Sequence, residues 1–275
     1  MRRRMRRLPH LTSVFAAIIY VLLYAPIVLV VLNSFNANER LVEWGGFTTK
    51  WYSEALADSR VREDFLASLL VAVLTTAIAL VLAVTAALWA RSASARARGW
   101  FDGSTYLRII LPEVVIALGL FLLLTVLDVP LGVGTIVAGH VVIYSAYATI
   151  IVQARMMTLS STMEQAALDL GATPWRAFRR VTLPLLAPAL LVAAMLTFTF
   201  SFDNVIVSLF LGGAETETLP VLVLGLIRIS ISPEVNAIGT GVMLITLASF
   251  TMTAIVATFR PTGAGMLIPT RRKDS

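Results

Sequence analysis

Two carboxylates fall inside apolar runs long enough to cross a membrane. Asp203 lies about 20 residues into the run 183–211, and Glu113 follows Pro112 near the start of the run 109–127. An acid in that setting is expensive and marks a functional group by default. It either accepts a polar or cationic solute in passage or hydrogen-bonds a neighbouring helix. Ser201 and Asn204 flank Asp203. On a continuous helix positions 201 and 204 share a face and 203 lies about 100° from 204, so the polar arc suits a water-filled cavity. Other chemistry is poorly provided for. The chain has no cysteine, hence no disulfide and no thiolate metal site. Its two histidines, His10 and His140, stand too far apart to make a zinc site alone, and His140 reads as a packing or inter-helix hydrogen-bonding residue. No Ser/His/Asp or His/Glu grouping stands out. No G-x-x-x-x-G-K-[ST] phosphate loop is present, so the chain cannot hydrolyse ATP in the usual way.

The elements that position these acids follow from composition. The 275 residues are 58% hydrophobic and 14% charged, with a mean hydropathy of +0.85. A soluble domain is about 45–50% apolar and about 25% charged, so lipid is the expected solvent. Runs of about 20 apolar residues read as membrane helices. Six are found, at 11–32, 65–90, 109–127, 132–152, 183–211 and 235–259. The predicted fold is all-α, a polytopic membrane protein with six transmembrane helices. A shorter run, 219–231, carries Arg228 and reads as re-entrant or interfacial. Seventeen of the 22 lysines and arginines flank the spans on one side: Arg2 to Arg7, Arg91 to Arg108, Arg155 to Arg180, and Arg260 to Lys273. Five lie on the other: Arg40, Lys50, Arg60, Arg62 and Arg228. The positive-inside rule puts both termini in the cytoplasm. Topology accounts for the net charge of +6, and a nucleic-acid partner is not implied. The first run is about 22 residues long with no small-residue cleavage site after it, so it reads as an uncleaved span rather than a signal peptide.

Two loops carry information. The outer loop 33–64 contains Trp44-Gly45-Gly46-Phe47-Thr48-Thr49 and then Trp51-Tyr52. Thr48 or Thr49 caps a short predicted helix through Leu56, which either lies on the membrane surface or meets a partner. The inner stretch 156–184 is too polar to span. Ser161 and Glu164 fit a capping box, and a helix follows through Leu170. Gly171 suits a left-handed stop. Thr173 then caps a second helix with Pro174 at its first position, and Leu183-Pro184 enters the fifth span. Ala166 and Ala167 make the first helix thin enough for close approach by another surface. Gly132, Gly134 and Gly139 suit close helix contact in the fourth span.

Residues 164–184 resemble the EAA loop of ABC-importer permeases. The match rests on Gln165-Ala166-Ala167, Gly171 four residues later, and Leu183-Pro184. The family's glutamate position holds Gln165 and Glu164 precedes it, so either Glu164 takes the acid's role or that contact is missing. Over most of its length the chain is similar to spermidine/putrescine importer permeases. The supporting pieces are Trp44-Gly45-Gly46-Phe47-Thr48, Trp51-Tyr52, Leu111-Pro112-Glu113, His140, Phe200 to Asn204, Leu219-Pro220 and Ser232-Pro233-Glu234. The resemblance implies an ABC-importer type I transmembrane domain in a bacterial inner membrane. Its core would be 65–260, preceded by an N-terminal segment, 1–64, and followed by a tail, 261–275. It implies a second homologous permease, two ATPase subunits below and an extracytoplasmic solute-binding protein above, in contact with lipid. It assigns ATP and Mg to the partner ATPase and no cofactor to this chain. It assigns coupling to Glu164, Gln165, Ala166, Ala167, Asp169 and Gly171. It assigns the substrate path to Glu113, Ser201, Asp203 and Asn204, with Trp44 of the outer loop. The family often has a second acid after the Asp203 position, where Asn204 stands here. The solute is then a polyamine or a related small solute, with another amine, a phosphonate, iron or an opine as alternatives. A secondary transporter would show an internal repeat with broken helices, and none is apparent. A membrane enzyme would need a reactive constellation.

Overall fold

The computed structural model describes residues 8–259, apart from Arg40, Val42 and Glu215. The N-terminal arginines, Arg40, Arg260 and the tail 261–275 lie outside the described residues, as do the side chains of 8–12. Twelve helices, α1 to α12, run through the described residues, with no strand among them. Five are long and apolar enough to span a membrane, and a sixth span is obtained if one bent pair is counted as a unit. The chain divides into two compact units, 1–63 with 221–244 and 64–220 with 245–275.

In the first unit α1 (Leu8–Asn33) covers the first predicted span. Its side chains from Ser13 to Val30 are exposed, as lipid-facing or partner-facing positions would be. A compact loop follows. The Asn36 side chain organises it by accepting from the Asn38 and Gly45 amides (3.0 and 2.8 Å) and donating to the Glu43 carbonyl (2.9 Å). Helix α2 (Lys50–Ala57) forms as expected, but Thr48 accepts the Lys50 amide while Thr49 makes no capping bond. Trp51 turns inward, buried, and donates to the Asn36 carbonyl. Trp44 stays exposed. Helix α3 (Ser59–Ser92), which passes into the second unit after residue 63, begins six residues before the predicted span. Helix α11 (Leu219–Ile229) has 11 residues, about 16 Å at 1.5 Å per residue, too short to cross. Helix α12 (Pro233–Phe259), which passes into the second unit after residue 244, covers the last predicted span.

The second unit is built around α6 (Val133–Thr158), the most buried helix, which packs against α4 (Ala95–Ile110), α5 (Glu113–Val126), α9 (Leu183–Phe202) and α10 (Ile206–Leu211). Ala79, Ala83 and Ala87 on one stripe of α3 are fully buried with Ala148, Val152, Met156, Leu186 and Ala193. Small side chains let helices approach closely where lipid supplies no hydrophobic drive. Of the three glycines expected to permit contact, only Gly139 is tight. A methyl there would lie 2.5 Å from Leu211 and 2.7 Å from Val207, so its absence seats α10 on α6. Gly134 has open space, and Gly132 has only an ordinary contact.

Two predicted spans are broken. The run 109–127 is not one helix. α4 ends at Ile110, Leu111 is extended, and α5 starts after Pro112 at a bend of 103°. Proline biases its predecessor away from helix and lacks the N–H that would continue it. The polar stretch 91–108, between the second and third predicted spans, is largely α4 itself. The run 183–211 is also interrupted. α9 ends at Phe202 with Asp203 as its C-cap, and the six-residue α10 begins at Ile206. Before α9, α8 (Pro174–Ala177) continues through one wide π turn, Phe178–Thr182, into the span. The wide turn precedes Pro184, which offers no N–H to the carbonyl four residues back.

Candidate functional site

Both predicted acids sit at these breaks, on the wall of one cavity of about 610 Å³ in the second unit. Glu113 heads α5, and its Oε1 accepts from the Tyr144 hydroxyl (2.8 Å) and from Asn204 Nδ2 (2.5 Å). Asn204 also donates to Tyr144 Oη (2.7 Å). Its Oδ1 accepts the Val207 and Ser208 amides (2.8 and 3.3 Å), capping α10. One amide side chain therefore starts a helix and holds the carboxylate of another. Asp203, next to it, is exposed to the cavity and has no side-chain hydrogen bond or ion pair among the described residues.

The continuous polar arc expected for 201–204 does not form, because the helix ends between its members. Ser201 is buried and bonds His140 Nδ1 (2.7 Å), joining α9 to α6, so it faces packing rather than the cavity. His140 is the inter-helix residue it was read to be. Its ring meets Tyr144 edge-on at 5.4 Å. Glu113, Asp203 and Asn204 are brought together. Trp44 belongs to the other unit, and the cavity is built wholly without it.

Sequence reasoning missed Tyr144 and Arg108. Tyr144 lies four residues from His140, one helical turn on the same face, which was the available signal. Arg108 was counted among the basic residues that flank the spans on the cytoplasmic side. It is in the last turn of α4 and donates to Val142 O and Ser145 Oγ (3.1 and 3.0 Å), near the middle of α6. It also lines the cavity. Its continuity with the apolar run beginning at Ile109 was the overlooked sign.

The inner loop is two capped helices at a glycine elbow. α7 (Ser161–Asp169) is capped by Ser160, one residue earlier than predicted. Glu164 does not reach back to complete a capping box. Its carboxylate pairs with Arg91 at the end of α3 (2.7 Å) and accepts from Thr182 (3.2 Å), which ties the loop to two helices. Gly171 adopts φ +85°, with Gly171 N bonded to Leu168 O and Ala172 N to Ala167 O, a Schellman ending. Thr173 accepts the Arg176 amide, and Pro174 occupies the first position of α8. With Glu164 turned inward, the exposed surface is Gln165, Ala166, Leu168, Asp169, Leu170 and Trp175, while Ala167 is half-buried.

Known proteins match this arrangement in sequence and in fold. Residues 79–261 match the family described as binding-protein-dependent transport system inner membrane component. The chain is 30% identical over 251 residues to the spermidine/putrescine transport system permease protein PotC of Shigella flexneri, covering 91% of this chain and 95% of that one. It is 33% identical over 247 residues to the putrescine transport system permease protein PotI of Escherichia coli K12, covering 86% and 88%. In fold it is similar to a bacterial ABC transporter involved in the import of the acidic polysaccharide alginate, with TM-score 0.68 at 15% identity, covering 94% of this chain and 97% of that one. A further structure of an alginate transporter, in complex with a periplasmic protein bound to an alginate pentasaccharide, matches with TM-score 0.63 at 15% identity, covering 92% and 96%. The broken spans, the capped inner loop and these matches lead to one assignment: the chain belongs to the family of inner-membrane components of binding-protein-dependent transport systems.

Proposed function

We propose that this chain forms half of the membrane channel of an ATP-driven importer for a small amine-bearing solute, of the polyamine class or related to it. The observation that carries the reading is the cavity at two helix breaks, with Asp203 free and Glu113 held in place by Tyr144 and Asn204. Irregular backbone inside a span is tolerated where it lines a cavity or is buried in protein, and an ammonium passing through needs acceptors there. The polyamine permeases among the relatives support the solute class. A second permease completes the channel, and an extracytoplasmic binding protein delivers the solute. Two ATPases, which hold the ATP and Mg, engage the exposed face of α7. Gln165, Ala166 and Leu168 make that contact, and Glu164 braces it from behind. Both termini face the cytoplasm; reporter fusions at Ser275 and within 33–64 reporting the same compartment would reject that orientation.

The test is uptake per assembled complex in proteoliposomes, with Asp203→Asn as the perturbation. The expected result is impaired amine uptake with assembly and ATPase binding unchanged. Normal uptake per complex removes Asp203 from the path. Poor assembly or earlier melting, with uptake per complex retained, assigns it to helix packing.

A further inference from the structure

A path for cations leaves Arg108 unexplained. Its guanidinium donates to Val142 O, Ser145 Oγ, Thr105 Oγ1 and Ser104 O, all of them neutral acceptors. It makes no ion pair among the described residues, although it lies near the middle of α6 on the wall that also carries Glu113 and Asp203. Of a guanidinium's five N–H groups, these bonds leave one free. A charged side chain at such depth is costly and marks a functional group by default. Joining α4 to α6 does not require a charge, since a neutral donor makes the same bonds. The charge instead stands on the wall of the cavity that holds Asp203, an unpaired carboxylate. Thr199 and Thr246 line that wall too, and their buried hydroxyls have no partner among the described residues. Among the described residues the wall therefore carries two carboxylates, Glu113 engaged by Tyr144 and Asn204 and Asp203 without a partner, and one guanidinium without a counter-ion, while the two threonine hydroxyls are enclosed beneath it.

We propose that Arg108 binds an anionic group of the transported solute, so that the solute is an amine that also bears a carboxylate, its ammonium at Asp203. The inference rests on the amine-import reading above and narrows it. A further ammonium placed at Arg108, as in a polyamine, meets repulsion there, and the other carboxylate on the wall, Glu113, is already engaged by Tyr144 and Asn204.

The chain has no cysteine, so Ile206→Cys, on the cavity wall and 38% exposed, gives a single reporter thiol on this chain. In the purified complex its reaction with N-ethylmaleimide is timed in the presence of γ-aminobutyrate or of putrescine, a diamine of similar length. The expected result is that γ-aminobutyrate slows labelling at lower concentration than putrescine. Arg108→Gln raises the half-protecting concentration of γ-aminobutyrate about tenfold or more, as loss of a charge-assisted hydrogen bond would, and lowers that of putrescine. Better protection by putrescine in the chain with Arg108 intact overturns the proposal, and this arm needs no Arg108 variant to fold. So does a half-protecting concentration that Arg108→Gln leaves unchanged. Protection by putrescine that depends on Asp203 and ignores Arg108 sinks this proposal and leaves the amine path standing. Protection by neither solute removes both.

Discussion

Asn204 carries two jobs in one side chain, and substitutions separate them. Asn204→Ala deletes the oxygen that caps α10, a loss of about 1 kcal/mol. It also deletes the donor to the Glu113 carboxylate, and hydrogen bonds to charged groups are worth about 1.5–3 kcal/mol. The two losses share one residue and need not add, so the expected destabilisation is about 2–4 kcal/mol. Asn204→Asp keeps an oxygen for the Val207 and Ser208 amides. It sets a second oxygen against Glu113 Oε1, which the native amide nitrogen approaches at 2.5 Å. Attraction becomes repulsion between like charges, so this variant also destabilises, but through the lost donor to Glu113 and Tyr144 and not through the cap. Adding Glu113→Gln restores a donor–acceptor pair with the direction reversed, and the double variant should regain much of the loss. Folded fraction against denaturing detergent in mixed micelles measures all four proteins. An Asn204→Ala chain within about 0.5 kcal/mol of the original, the range of surface changes that touch nothing, would refute the shared-cap account. A swap with no recovery would refute the Glu113 contact.

The inner loop gives two further predictions. Glu164→Ala should loosen the loop, seen as faster hydrogen exchange over 161–173, and Arg91→Ala should do the same; their double-mutant coupling should be about 1 kcal/mol or less, because the pair is partly exposed. Gln165→Ala should leave exchange unchanged and lower ATPase retention on purification, and the reverse pattern would exchange the two roles. At Gly171 a side chain meets nothing within 4 Å, so the cost is backbone strain alone, about 1–2 kcal/mol. Gly171→Asn, which tolerates the left-handed region, should therefore keep ATPase retention where Gly171→Val loses it. Equal behaviour of the two variants argues against the left-handed stop as the requirement.

Local rules reached far along this chain. Membrane helices announce themselves by length and apolarity, because lipid leaves every backbone group to be satisfied within the segment. The elbow at Gly171, the cap at Thr173 and the first position of Pro174 were legible because each depends on neighbours within about five residues. The two acids stood out because their setting is unfavourable by composition alone. What lay beyond local rules was where the long runs stop being helices. A run of apolar residues reads alike whether it is one helix or two, and only packing shows that α9 ends at Phe202 once Asn204 has Glu113, Tyr144 and α10 to bind. That ending moved Ser201 to His140 and left Asp203 on the cavity wall without a side-chain partner among the described residues. Arg108 was misplaced for the same reason: charge counting assigns a side by sequence position, whereas the depth of a side chain depends on the helix it lies against. Glu164 had a local partner available in a capping box, and Arg91, 73 residues away, took it instead. The sequence determined which segments enter the membrane and which residues are costly there; the tertiary structure decided which of those residues meet, because hydrogen bonds between distant helices form only where packing brings the helices together.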